Sequence, residues 1–181
     1  MLNRISRRPV RLLLCISALL VSTVLHAQET LITESGVLGG RKQLHRIPTS
    51  MLTSSNNIVA IYLPPEYEAS DQRYPVVYLL NGAGGSYEHF TSWTNGPRKA
   101  SDLILAGRIQ PMILVIPTRP WGSGHHLEFT DYLVQELIPF VDTHYRTIAD
   151  RSSRGIGGWS LGGGNALGSV LARADVFSAA A

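Results

Sequence analysis

The sequence predicts an α/β domain with a mostly parallel central sheet covered by helices on both faces. Three observations carry that reading. Short unbroken apolar runs, Val76 to Leu80 and Met112 to Pro117, have the pattern of strands buried on both faces. Helical spacing appears between such runs, most clearly in "EFTDYLVQELIPFVDTHYR", where Leu133, Leu137, Phe140 and Val141 fall on one face. Strands and helices alternate at the spacing of βαβ units, and 181 residues leave room for one such domain.

Each element follows from its residues. Gln28 to Gly40 is polar and glycine-bearing and reads as part of a loose N-terminal lead over residues 28–57. "IVAIYLPPEY" is a strand from Ile58 that Pro64 and Pro65 end, because proline cannot donate to a ladder. Val76 to Leu80 is the next strand and runs into the loop "NGAGG". A helix is expected from about Pro97 to Ala106, then a buried strand to Pro117 and the loop "PTRPWGSGHH". Thr130 or Asp131 is a candidate cap for the following helix, which Pro139 perturbs without ending. "SRGIGG" is a weak, short strand, "LGGGNALGSVLARA" a helix, and "VFSAAA" the opening of one more strand.

The formal charge of +3 is a feature of the N-terminus. Arg4, Arg7, Arg8 and Arg11 precede the fourteen-residue apolar run Leu12 to Leu25, and "LHA" offers cleavage after Ala27. That is the layout of a secretory signal peptide over residues 1–27, and the fourteen-residue run is shorter than the roughly 20 residues needed to span a bilayer. Removing the four arginines takes the charge from +3 to −1, which argues against nucleic-acid binding. The expectation is an exported protein, periplasmic or secreted, with no stable membrane association after cleavage. Cys15 is the one cysteine of the sequence, so the mature chain has no disulfide, thiol nucleophile or cysteine metal site.

Gly158-Trp159-Ser160-Leu161-Gly162 fits G-x-S-x-G between a strand and a helix. A serine on so sharp a turn takes a strained backbone, and glycines two residues to either side relieve the crowding and leave its hydroxyl exposed. The Leu161 N–H then lies at a helix N-terminus, where unpaired donors favour a developing oxyanion. The small residues of "NGAGG", Asn81 to Gly85, allow a second backbone donor to approach the same point. Neither glycine loop fits G-x-G-x-x-G, and no Lys-Ser/Thr pair follows a glycine, so a phosphate cradle is disfavoured.

From about Ile58 to Ala181 the sequence resembles the esterase D-like branch of the α/β-hydrolases, which includes S-formylglutathione hydrolases, enterochelin and feruloyl esterases and mycolyltransferases. "IYLPPEYEASDQRYPVVYLLNGAGG", "LVQELIPFVDTHYRT" and "RGIGGWSLGGGNAL" carry the resemblance, in the family's order and spacing. It implies a three-layer α/β-hydrolase domain over residues 58–181, with Ser160 as nucleophile and the N–H groups of Leu161 and Ala83 as oxyanion hole. Gly158 and Gly162 are then the elbow glycines, and the reaction a two-step acyl transfer to water through an acyl-enzyme. Asn81 stands where many relatives place histidine, and an amide there can hold the loop by hydrogen bonding.

The family order is serine, acid, histidine, yet Asp175 is the only acid after Ser160 and no histidine follows it. The sequence therefore reads as incomplete at the C-terminus: the N-terminal part of a longer hydrolase, or a frameshifted product of one. Such a chain is expected to be aggregation-prone and nearly inactive alone. His45, His89 and His144 are assigned no catalytic role. The adjacent His125 and His126 are two potential metal ligands with no third placed by spacing, and are read as exposed loop residues. Trp121 and Trp159 suit either a pocket or the core. No metal or organic cofactor is expected, and the substrate is a small-molecule or glycan ester. The alternatives are a non-catalytic binding protein of the same fold and an acyltransferase using the same serine.

Overall fold

A computed structural model describes residues 31–37, 40–52, 57–118 and 126–181, with backbone alone for 31–37 and 126. Within them lie strands β1 (Leu31–Val37), β2 (Gly40–Arg46), β3 (Ile58–Leu63), β4 (Val76–Leu80), β5 (Ile113–Pro117), β6 (Arg154–Gly158) and β7 (Ala179–Ala180). Helices α1 (Gly96–Leu105), α2 (His126–Tyr132), α3 (Ile138–His144) and α4 (Leu161–Ala172) lie between them. The strands form one sheet in the order β1-β2-β3-β5-β4-β6-β7. β4 to β7 are mutually parallel, whereas β1, β2 and β3 meander antiparallel at one edge, β3 meeting β5 antiparallel.

The apolar runs became strands where expected because alternate residues face different helices. Val76, Tyr78 and Leu80 join Val59, Ile61, Ile113, Val115 and Ile156 in the main core under α2, α3 and α4. Val77 and Leu79 face the other way, towards Tyr62, Leu114 and Ala100 of α1. The Tyr62 hydroxyl lies 2.7 Å from Ser101 Oγ, satisfying both polar atoms under α1. β7 forms at the foreseen place, with Gly155 opposite Ala179 and Ile156 opposite Ala180.

Two expectations change. The residues read as a loose lead supply β1 and β2, so the sheet begins before Ile58. The long helix starts at His126, not at a Thr130 or Asp131 cap, and the Thr130 hydroxyl is buried 2.8 Å from Ser169 Oγ of α4. Pro139 perturbs that helix through a π-helical turn, Leu133–Leu137, between α2 and α3. Proline has no N–H for the i−4 carbonyl, and one wide turn absorbs the mismatch without breaking the run. Residues 1–27, with the signal-peptide reading, lie outside the described residues, as do Trp121 and His125. Among those described, no helix is long and apolar enough to cross a membrane.

Two buried polar links fasten the ends of these elements. Arg154, at the start of β6, meets Asp142 of α3 at 2.9 Å, and Asp142 also accepts from the Thr147 hydroxyl at 2.7 Å. In β2, His45 Nε2 lies 2.5 Å from the Tyr145 hydroxyl, which is 2.6 Å from the Gln43 amide. Burial, with the nearby His144 as a smaller cause, pushes His45 down to about 4. Its folded value lies below that of the unfolded chain, so the unfolded chain takes up the proton first as pH falls. We therefore expect urea-denaturation stability to drop as pH falls from 6.5 towards about 4, and the His45→Gln variant to lose that part of the slope. An unchanged slope in the variant would contradict the assignment.

Candidate active site

The turn between β6 and α4 places Ser160 at φ 53 and ψ −126, one of three non-glycine residues with positive φ among those described. An L-residue rarely adopts this conformation, and it persists only where the surroundings impose it. The imposing contact is a close backbone approach. A Cβ on Gly162 would fall on the carbonyl oxygens of Leu80 and Asn81 at the end of β4. A Cβ on Gly158 would lie 2.5 Å from the Gly162 carbonyl carbon and 2.7 Å from the Leu80 oxygen. The first turn of α4 therefore presses directly on two strand ends, which only glycine permits, and Ser160 is exposed above the contact.

The second loop is built on the same strand end. After Leu80, the Asn81 side chain is buried and its Nδ2 donates to the Pro117 carbonyl at 2.8 Å, tying the end of β4 to the end of β5. The asparagine thus holds the loop in the way the sequence suggested for a residue standing in place of histidine. The chain then turns from Gly82 to Gly85, closed by Gly85 N–H to the Gly82 carbonyl at 3.1 Å, with Gly84 at φ 69. Ala83 is exposed at the tip. Among the described residues, neither the Ala83 N–H nor the Leu161 N–H donates to a backbone carbonyl. Leu161 opens α4, so its amide is an unsatisfied helix-terminal donor beside Ser160. The arrangement puts an exposed serine hydroxyl and two amides without a backbone acceptor among the described residues at the carboxyl ends of parallel strands, where open α/β sheets place their ligands.

The other candidates fall elsewhere. Asp175 follows α4, exposed and paired with Arg173 at 2.8 Å, near the amino end of β6, where the Val176 carbonyl accepts from Arg154. His45 is sealed in β2, and His144 Nδ1 lies 2.8 Å from the Phe140 carbonyl at the end of α3. His126 begins α2, and among the described residues no group of three His, Cys, Asp or Glu could hold a metal. A cleft of about 220 Å³ opens at the opposite end of the sheet, lined by Pro75, Val76, Met112, Ser153 and Arg154. Its one charged residue among those described, Arg154, is engaged by Asp142.

One feature escaped the sequence reading. Trp159 is not core: it is half-exposed and lies against Gly82, where a Cβ would sit 3.0 Å from its ring carbons. His89 stacks between Trp159 and Trp93, with ring centroids 4.7 Å and 4.4 Å away. The "HFTSW" spacing of His89 and Trp93 was the available signal, since residues four apart share one side of a helical turn.

The family model described as "Putative esterase" matches residues 50–181. An endo-1,4-beta-xylanase/feruloyl esterase of Xylanibacter ruminicola is 33% identical over 132 residues, covering 65% of this chain and 18% of that protein. Esterase Rv1288 of Mycobacterium tuberculosis is 30% identical over 132 residues, covering 68% of this chain and 27% of its own length. Among solved structures, a ferulic acid esterase superposes with TM-score 0.62 at 25% identity, over 84% of this chain and 59% of that one. An S-formylglutathione hydrolase from Agrobacterium tumefaciens does so with TM-score 0.68 at 22% identity, over 83% and 61%. The chain thus spans less than two thirds of each of these relatives, and its fold is that of the α/β-hydrolases.

Two glycines of one helix test the elbow. Gly162→Ala should destabilise the protein by about 1–3 kcal/mol or more, because a methyl group must displace backbone. Gly164→Ala, with nothing within 4 Å of its Cβ, should be neutral or stabilising by up to about 1 kcal/mol. Denaturant titration of both variants checks the contrast, and equal stabilities would contradict it.

Proposed function

The chain belongs to the Esterase family, and from that premise we propose that it is a serine hydrolase of carboxylic esters acting through an acyl-enzyme on Ser160. The observation that carries the reading is the positive-φ turn at Ser160, with the Leu161 amide next to it and the Ala83 loop at the neighbouring strand end, neither amide having a backbone acceptor among the described residues. Ser160 Oγ attacks the ester carbonyl carbon while its proton passes to a base. The carbonyl electrons move to oxygen, and the Leu161 and Ala83 N–H groups stabilise the resulting oxyanion. Collapse expels the alcohol, which takes a proton, and leaves an ester on Ser160. Water repeats the sequence and releases the acid. None of the described histidines is assigned as the base.

Each such donor typically contributes about 3 kcal/mol in the transition state, because fixed amides need no reorganisation as charge develops. Supporting the substrate class, a small-molecule or glycan ester, are the relatives called xylanase/feruloyl esterase and ferulic acid esterase. The arginine-led apolar N-terminus supports export to the periplasm or medium.

The test is hydrolysis of p-nitrophenyl acetate by the wild-type protein and by Ser160→Ala. Slow wild-type turnover that is lost in the variant is expected, because no described histidine is assigned as the base. Equal rates in the two proteins, together with no labelling of wild-type Ser160 by a fluorophosphonate, would overturn the reading in favour of a non-catalytic binding protein. Added methanol or a sugar competing with water for the acyl group would instead mark an acyltransferase.

A further inference from the structure

We propose that the exposed face of α4 and the open edge of β7 form a docking surface for a second copy of this chain, the two copies being related by a two-fold axis. The proposal concerns assembly and stands whether or not Ser160 turns over esters.

α4 reverses the usual order of a surface helix. Its polar residues Asn165 and Ser169 are buried, whereas its exposed positions, Leu161, Gly164, Leu167, Leu171 and Ala172, carry no polar side chain. Leu167 is 56% exposed and Leu171 75%, and residues four apart share one side of a helix. An apolar outer face is the mark of a helix covered on both sides, yet the sheet and Thr130 of α2 cover only the inner side of this one. Beside the leucines, Gly168 has nothing within 4 Å of where its Cβ would lie, which leaves a notch for a side chain from a facing helix.

A strand edge lies on the same flank. Among the described residues β7 is the outermost strand there, paired with β6 alone, and α4 packs over β6. Its alanines are exposed and uncharged, and an unpaired edge is a template for another strand. A two-fold axis through that edge sets β7 antiparallel to β7 of the second copy, so one patch serves both subunits. With strands about 4.8 Å apart, the two β6 strands come within about 14 Å, and the α4 helices above them meet through their leucines. A stable interface buries about 800 Å² on each partner, more than one helix face supplies, so helix and edge act together. The chemistry selects a second copy over a lipid surface. Helices that lie in lipid flank their apolar face with basic and aromatic residues, and the exposed positions of α4 and β7 hold none. Arg173 and Asp175, which follow α4, neutralise each other at 2.8 Å, so two copies meet without like-charge repulsion.

The test is sedimentation equilibrium of the full chain over a range of concentrations, beside Leu171→Glu, Leu171→Lys and Leu105→Glu. The wild-type chain should fit a monomer–dimer equilibrium. Leu171→Glu should weaken association about tenfold or more, since each copy then brings a carboxylate into an apolar contact. An equimolar mixture of Leu171→Glu and Leu171→Lys should associate more tightly than either variant alone, because opposite charges then share the interface. Leu105, exposed on α1 across the sheet, is the control, and Leu105→Glu should leave the dissociation constant within about twofold. Both leucines are exposed, and circular dichroism confirms that each variant folds. A wild-type chain that stays monomeric, a dimer indifferent to Leu171→Glu, or open-ended aggregates in place of a dimer would overturn the proposal. Monomers that bind phosphatidylcholine vesicles, and lose that binding in Leu171→Glu, would overturn it in favour of a lipid surface.

Discussion

The candidate site depends on one backbone contact, the approach of the first turn of α4 to the carbonyl oxygens of Leu80 and Asn81. At that distance position 162 has no room for a side chain, and the chain entering the helix must reverse sharply. Ser160 takes up the reversal at φ 53. Its hydroxyl is thereby exposed, and the opening amide of α4 has no backbone acceptor among the described residues. The strain at Ser160 and its exposure share one cause, since a relaxed serine would require the helix to move off the strand that carries the Gly82–Gly85 loop.

The rest of the fold keeps that contact in register. β4 lies between β5 and β6, so its end is fixed from both sides. Asn81 reaches across to the Pro117 carbonyl, and the Trp159 N–H is directed at the Leu80 carbonyl at 3.4 Å. At the far end of the sheet, the ion pair of Arg154 with Asp142 anchors the start of β6 to α3. Removing the Asp142 carboxylate would leave the buried Arg154 guanidinium without its counter-charge, which commonly costs about 3–5 kcal/mol. The ion pair thus sits at the end away from Ser160, and the Ser160 end is held by the Asn81 amide, backbone and glycine.

What was legible in the sequence divides along physical lines. β4, β5, α1 and the elbow glycines follow from local pattern, because a doubly buried strand is continuously apolar and a steric demand for glycine appears as glycine. β2 did not: "GRKQLHR" is polar, and Gln43 and His45 are buried against Tyr145, about a hundred residues away in sequence, a compensation that composition cannot display. The start of α2 was misplaced for a similar reason, since Thr130 resembles a cap until its hydroxyl is seen against Ser169. Trp159 and Trp93 were visible as residues, but their association through His89 depends on how the Gly82–Gly85 turn folds back towards α4.

The most direct measurement of the central claim is a crystal structure of the protein after treatment with a fluorophosphonate, whose phosphoryl oxygen stands in for the oxyanion. The account predicts a covalent adduct on Ser160 Oγ, with that oxygen within about 3 Å of both the Ala83 and Leu161 nitrogens. An unmodified Ser160, or an adduct whose oxygen points to solvent with neither amide in reach, would contradict it.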